Sequence, residues 1–214
     1  MSNATLGING NQLGAVASLA EATNVLASLS DTSIDYGSGS GGMALVSSQE
    51  GSGAGTARID GTDLGIDAVG VSASGLSVDG NSVLATASGL TATNRSALSA
   101  TTALTGDGGA VGALSDLVSL SGASTLANRQ NQTGSMLSII EPSVDSAGGM
   151  SIALTGAATS NTSLSVSSNL MRAQSTGVSA NNLSTVEAGS LSNVVASLSN
   201  DQSMSGAAEA KLFN

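Results

Sequence analysis

The chain has 214 residues, a net charge of −10, no histidine, no cysteine and no tryptophan. Without histidine and cysteine it lacks the commonest general base and the thiol nucleophile, so an enzyme is not expected and no cofactor is implied. Its five basic residues are spread along the sequence, which disfavours nucleic acid as a partner.

Composition also limits the class of fold. One tyrosine and one phenylalanine cannot supply the large aromatic groups of most globular cores, so a thin core is expected. Disorder is disfavoured because 40% of the residues are hydrophobic and only 9% are charged. No apolar run approaches the roughly 18 residues of a transmembrane helix. The first residues show neither the basic nor the apolar region of a secretory signal.

One spaced motif occurs three times along the chain. It begins at Ile8 as I-x-G-N-x-L-x-A-x-A, at Val78 as V-x-G-N-x-V-x-A-x-A, and at Val166 as V-x-S-N-x-M-x-A. Recurrence at a fixed internal spacing is the signature of a repeat architecture. Each copy carries two asparagines 13 positions apart, which are Asn11 and Asn24, Asn81 and Asn94, and Asn169 and Asn182.

The first half of the chain contains most of the recognisable copies. The first copy lies near residues 6–26 and is followed by a Gly/Ser-rich interruption at 37–55. A weaker copy near 59–77 precedes the second strong copy near 76–98, and its Ile59 matches Val78 at an offset of 19. The Gly/Ser-rich stretch, particularly from Gly37 to Gly42, is typical of a flexible linker.

The second half contains the third copy, near residues 164–184. A short C-terminal segment at 200–214 follows, and Gly206–Phe213 is its best candidate for a short helix because alanine, glutamate and lysine favour helices. We therefore predict that residues 1–214 form a single repeat domain.

The second copy shows the alternation that is typical of β-strands. Small apolar residues occupy every other position before Gly89 and again after it, which predicts a strand, a glycine corner and a second strand. The predicted inward residues are Val83, Ala85, Ala87, Leu90, Ala92 and Asn94. The predicted fold class is all-β, a flattened β-solenoid of about 19–23-residue strand–turn–strand coils with a narrow small-residue core. Nine to eleven such coils would account for the whole chain.

Asparagine and glycine mark the structural positions of the repeat. Asparagine tolerates left-handed backbone at corners, and stacked asparagines also form hydrogen-bonded ladders, so both roles are open for the six marker asparagines. Glycine permits the turns. The glycines assigned to turns are Gly10, Gly80, Gly89 and Gly177.

A cluster of aspartates is the only candidate for a ligand site. Asp60, Asp63 and Asp67 offer the carboxylate oxygens that calcium prefers, although no EF-hand loop is present. The alternative is that these residues are solvated corner residues. No other metal site is predicted.

The repeat resembles the subunits of bacterial functional amyloids, namely curli and the Fap fibres of pseudomonads. The residues that carry this resemblance are Gly10, Asn11, Ala15, Ala17 and Asn24 with Gly80, Asn81, Ala85, Ala87 and Asn94, and Asn169, Ala173, Gly177 and Asn182. The resemblance implies secretion, self-assembly by stacking, and a role in biofilm or surface attachment.

The sequence favours a structural subunit of an extracellular fibre that stacks head-to-tail on copies of itself. No charged cap precedes Leu6, Ile8 and Leu13, and uncapped strand edges recruit further chains. A virion fibre or spike, often a trimeric β-structure, is an alternative class and location. An adhesin-type β-solenoid that binds a ligand is a second alternative. A secretion or nucleation partner is possible, and the sequence does not identify one.

Overall fold

The computed structural model describes residues 5–36, 42–70, 72, 74–106, 124–142, 149–155 and 162–213. In these residues the chain is all-β, has no helix, and pairs its strands in parallel. The strands are β1 (Thr5–Asn9), β2 (Gln12–Ser30), β3 (Ser33–Asp35), β4 (Met43–Gly51), β5 (Gly55–Val69), β6 (Gly75–Asp79), β7 (Ser82–Thr105), β8 (Ser124–Gln132), β9 (Met136–Pro142), β10 (Gly149–Thr155), β11 (Ser163–Ser167), β12 (Leu170–Ser192), β13 (Ala196–Met204) and β14 (Ala208–Leu212).

The strands lie on three stacked levels. Level 1 consists of β1–β5, level 2 of β6–β10 and level 3 of β11–β14. Level 2 lies in the middle, because β6, β7, β8 and β9 each pair with one strand of level 1 and one strand of level 3. Side chains that bond between levels 1 and 2 are 70 or 81 residues apart, and those between levels 2 and 3 are 88 or 72 apart.

Each level runs out along one face and returns along a second face, with the core between them. In level 2, β6 and β7 form the outgoing face, and β8, β9 and β10 form the returning face. Three apolar clusters fill the space between the faces. The first holds Ile66, Ala68, Leu76 and Val78, the second Ala57, Ile59, Val83, Ala85, Ala87, Met136 and Ile140, and the third Met43, Leu98, Ala100 and Leu104.

The six predicted inward residues of the second copy are all buried, but they do not face one another as predicted. β7 continues through Gly89 as one strand of 24 residues instead of folding back there. Before Gly89, Ala85 and Ala87 pack on Met136 and Ile140 of β9. After Gly89 the inward side shifts from odd to even positions. Each half of the strand therefore packs on a different returning strand.

The prediction of 19–23-residue coils is wrong for the described strands. Ile59 pairs with Ile140 on the returning face, whereas Val78 pairs with Ile8 and Val166 on the outgoing face. The weak copy at 59–77 is therefore not stacked on the copy at 76–98. Similar small-residue alternation recurs on both faces and creates the short offset, whereas the register is set by which residues the core can bury.

Two further predictions about local structure are wrong. The interruption at 37–55 contains β4, and β5 begins at Gly55; of the expected linker, residues 37–41 lie outside the described residues. The candidate helix Gly206–Phe213 contains strand β14, which pairs with β9 from Ala208 to Leu212. Pairing with a neighbouring strand overrides the modest helix propensity of this segment.

The corner between β1 and β2 recurs on all three levels in left-handed backbone. Its φ angles are +70° at Gly10, +65° at Gly80 and +55° at Ser168. Glycine adopts this conformation without strain, whereas a residue with a Cβ is disfavoured there. The third level therefore carries strain that the other two avoid.

We expect Ser168→Gly to raise the free energy of unfolding by about 0.5–1 kcal/mol, because it removes that strain. Chemical denaturation measures the change. The matched control is Ser165→Gly in the middle of exposed β11, which should lower the stability by a similar amount. A loss of stability in both variants would contradict the assignment of strain to Ser168.

Candidate assembly site

A ladder of asparagine side chains runs through the first corner of the three levels. Asn11 Nδ2 donates to Asn81 Oδ1 at 3.0 Å, and Asn81 Nδ2 donates to Asn169 Oδ1 at 3.0 Å. The backbone N–H groups of Asn11 and Asn81 donate to the same two oxygens. These residues thus act both as corner residues and as a ladder, the two roles left open by the sequence.

A second asparagine ladder lies inside the core. Asn24 Nδ2 donates to Asn94 Oδ1 at 2.8 Å, and Asn94 Nδ2 donates to Asn182 Oδ1 at 2.7 Å. Asn94 also donates across the core to Asn128 Oδ1 at 3.0 Å, and Asn128 donates to Asn200. The returning column thus faces the outgoing one. Both middle-level asparagines are fully buried, and their amides are satisfied by each other and by neighbouring levels.

A glutamine column, which the sequence analysis missed, lies next to this network on the returning face. Gln130 Nε2 donates to Gln49 Oε1 at 2.7 Å, and Gln202 Nε2 donates to Gln130 Oε1 at 2.6 Å. The signal was the pattern L-x-x-x-Q-x-x-x-G, which occurs at Leu45-Gln49-Gly53, Leu126-Gln130-Gly134 and Leu198-Gln202-Gly206. Its copies are 81 and 72 residues apart rather than 70 and 88, so it falls outside the asparagine motif.

Glycine columns let the backbones of successive levels approach at the other corners. A Cβ on Gly89 would overlap the carbonyl oxygen of Gly177, and a Cβ on Gly177 would overlap Met204. On the returning side, a Cβ on Gly134 would overlap the carbonyl of Gly53. A Cβ on Gly206 would likewise overlap the carbonyl of Gly134. Gly89 and Gly177 therefore serve close approach, whereas Gly10 and Gly80 supply left-handed turns.

The two end levels expose side chains that the middle level buries. Leu13 of level 1 is 47% exposed, whereas its level-2 equivalent Val83 is fully buried. In level 3, Leu212 is 52% exposed, whereas its equivalent Ile140 is fully buried. The register places each of these pairs in one inward-facing column, so the exposure arises because an end level has a neighbour on only one side.

The aspartate cluster is not assembled into a metal site among the described residues. Asp60 accepts a hydrogen bond from Arg58 Nε at 2.6 Å, and Asp67 is exposed on the outer side of β5. The hydrogen bond to Asp60 and the charges of Asp60 and Glu141 raise the pKa of Arg58. The side chain of Asp63 lies outside the described residues. No group of three potential metal-ligating side chains occurs in the part of the chain that the structure describes.

The described residues include no helix that is long and apolar enough to cross a membrane. Comparison with known proteins adds no relative: the chain matches no family model, no curated protein and no solved structure. The three columns and the two open end levels are therefore the features on which a function has to be built.

We expect Asn94→Ala to lower the free energy of unfolding by about 2–3 kcal/mol, because it leaves its buried partners Asn24, Asn128 and Asn182 without their bonds to it. The matched control is Asn181→Ala, whose side chain is exposed beside Asn182 and should change stability by less than about 0.5 kcal/mol. Denaturant unfolding of the two variants gives the comparison, and equal small effects would contradict the role of the ladder.

Proposed function

We propose that this protein is the structural subunit of an extracellular fibre, in which level 1 of one copy stacks on level 3 of the next. The observation that carries the proposal is that the two end levels are open and complementary. Each end presents strand edges, apolar columns and amide columns in the register that already joins the levels within one chain. Unpaired strand edges are templates for pairing with another chain. A head-to-tail contact of this kind forms an open filament.

The apolar columns supply a driving force for this contact. A second copy placed on level 3 would cover Leu164, Val166, Leu198 and Leu212, each about half exposed in one chain. On its own side it would cover Leu6 and Leu13. Burial of a half-exposed leucine or valine contributes about 1 kcal/mol. The sum over one interface is large enough to offset the cost of association in a stable contact.

The first asparagine ladder supports the same direction of stacking. Asn81 Nδ2 donates back to the carbonyl of Ile8 at 2.8 Å and forward to Asn169 at 3.0 Å. Asn169 Nδ2 makes the equivalent backward bond, to Val78 at 2.8 Å. Its equivalent forward bond would go to Asn11 Oδ1 of the next copy. The ladder would then continue through the filament without interruption.

The glutamine column has the opposite polarity and complements the same contact. Gln130 and Gln202 each donate to the glutamine of the preceding level. In the filament, Gln49 Nε2 of the next copy would donate to Gln202 Oε1. Two columns of opposite polarity disfavour reversed stacking, because a reversed copy would oppose donor to donor and acceptor to acceptor. The proposed filament is therefore polar.

The experiment that tests this function is electron microscopy of purified protein diluted from denaturant, without added cofactor. Long unbranched filaments that regrow, and that elongate from added filament fragments, are expected. Discrete rods of fixed length would instead indicate a closed oligomer such as a virion fibre. Monomers without filaments would contradict the proposal.

A single glycine separates the fold of one chain from its assembly. A Cβ on Gly53 would meet only Leu19, at an ordinary contact distance of 3.5 Å, so Gly53→Ala should fold. In the filament this Cβ would overlap the carbonyl of Gly206 in the preceding copy, by analogy with Gly134 and Gly53 within one chain. We expect Gly53→Ala to slow seeded elongation at least about tenfold, since relieving such an overlap costs about 1–3 kcal/mol.

The matched control is Gly14→Ala, which lies in the same level on an exposed strand. A Cβ there comes no closer than 4.0 Å to its neighbour, so folding and elongation should remain unchanged. Elongation rates are measured by light scattering with wild-type seeds. Equal rates for Gly53→Ala and Gly14→Ala would contradict head-to-tail stacking in this register.

A further inference from the structure

The returning face of level 3 has one strand fewer than that of level 2 in the described residues. Level 2 returns through β8, β9 and β10, whereas level 3 returns through β13 and β14, which stack on β8 and β9. β10 pairs with residues 63–69 of β5 on one edge. No described strand pairs with its other edge. One strand position is therefore open next to β10.

The open position forms a groove with an apolar wall. Its volume is about 410 Å³, and it is bordered by Met150, Val166, Ser167, Ser168, Asn169 and Met171. Leu164 and Val166 of β11 are 51% and 49% exposed, whereas their level-2 equivalents Leu76 and Val78 are 2% and 0% exposed. In level 2 the difference is made by β10, whose apolar residues pack on Leu76 and Val78.

The sheet defines what fits the groove. Parallel pairing aligns Leu64 with Met150, Ile66 with Ile152, and Ala68 with Leu154, so three columns of apolar side chains end at the open position. A strand added to β10 would continue these columns at the usual spacing of about 4.8 Å. The wall that it would cover is Leu164 and Val166. The groove thus fits a strand with apolar residues at alternate positions.

The chemistry of the groove does not favour an ion or a charged ligand. The residues that border it carry no charge. Two of its polar groups are already engaged: Ser167 Oγ donates to Asp79 at 2.8 Å, and Asn169 Nδ2 donates to the carbonyl of Val78. Backbone hydrogen bonds along β10 and apolar contacts with β11 remain as the means of binding.

We propose that this groove binds an extended peptide strand of a partner polypeptide, about seven residues long, with apolar side chains at alternate positions. The strand lies parallel to β10 and adds to its free edge, which is β-strand addition to an existing sheet. The site is present in a single chain and so does not depend on filament formation. In the proposed filament the strand would gain a second neighbour, residues 63–69 of the next copy.

The test uses a fluorescent synthetic peptide with the sequence of β10, Gly149–Thr155, followed by two lysines for solubility. Its binding to the full chain is measured by anisotropy, separately for single chains and for filaments. We expect saturable binding with one site per chain. A peptide of the same composition whose apolar residues are adjacent is expected to bind at least about tenfold more weakly, since alternation decides which side chains reach the wall.

Two variants locate the site. Val166→Asp places a charge on the wall of the groove and is expected to weaken binding about tenfold or more. Ser165→Asp adds the same charge to the same strand on the opposite side, and is expected to leave the affinity within about twofold because an exposed charge is solvated there. Circular dichroism confirms that both variants fold.

Hydrogen exchange of the unmodified chain gives a second readout, in which the peptide should slow exchange in β10. Binding that is selective for the alternating peptide and sensitive to Val166→Asp supports the proposal. Absence of binding to single chains and filaments alike, or binding that ignores both the alternation and Val166→Asp, overturns it. Filament growth is scored independently, so failure of this site and failure of the fibre are distinguishable.

Discussion

The structure depends on one constraint, which is that buried side-chain amides must find partners in the levels above and below them. Asn94 and Gln130 are fully buried in the middle level, where an amide without a hydrogen-bond partner is costly. Their partners are amides at the equivalent positions of the other two levels and of the facing column. A shift of register by one residue would turn these amides outward and leave their partners unpaired. The columns therefore fix the register of long strands whose small side chains would specify it weakly.

The same constraint gives the molecule its unfinished ends. The middle level has neighbours on both sides, and its amides and apolar residues are buried. An end level has one neighbour, so the columns stop with unused bonding capacity and half-exposed leucines. What stabilises the stack of three levels is therefore available to a further copy. The glycines at the corners are consistent with this arrangement, because they allow backbone carbonyls of successive levels to approach where any side chain would intervene.

The sequence allowed part of this arrangement to be predicted. The constant spacing of the asparagine pairs identified Asn11, Asn81 and Asn169 as equivalent, and the structure places them in one ladder. The partner of each buried strand could not be predicted in the same way, because alternating alanine and serine occurs on both faces and gives no preference for a register. The glutamine column was missed because the connection between the outgoing and returning strands differs in length between levels. It is longest in level 2, between Thr105 and Ser124, so Gln49, Gln130 and Gln202 do not share the asparagine offsets.

The central claim is that three levels of one chain continue as three levels of the next. The most direct measurement is the helical rise of the filament by electron cryomicroscopy. The account predicts a rise per chain of about 14 Å, three times the strand spacing of about 4.8 Å, with Asn169 of one chain next to Asn11 of the following one. A rise of about 4.8 Å per chain, in which every chain occupies a single level, would contradict it.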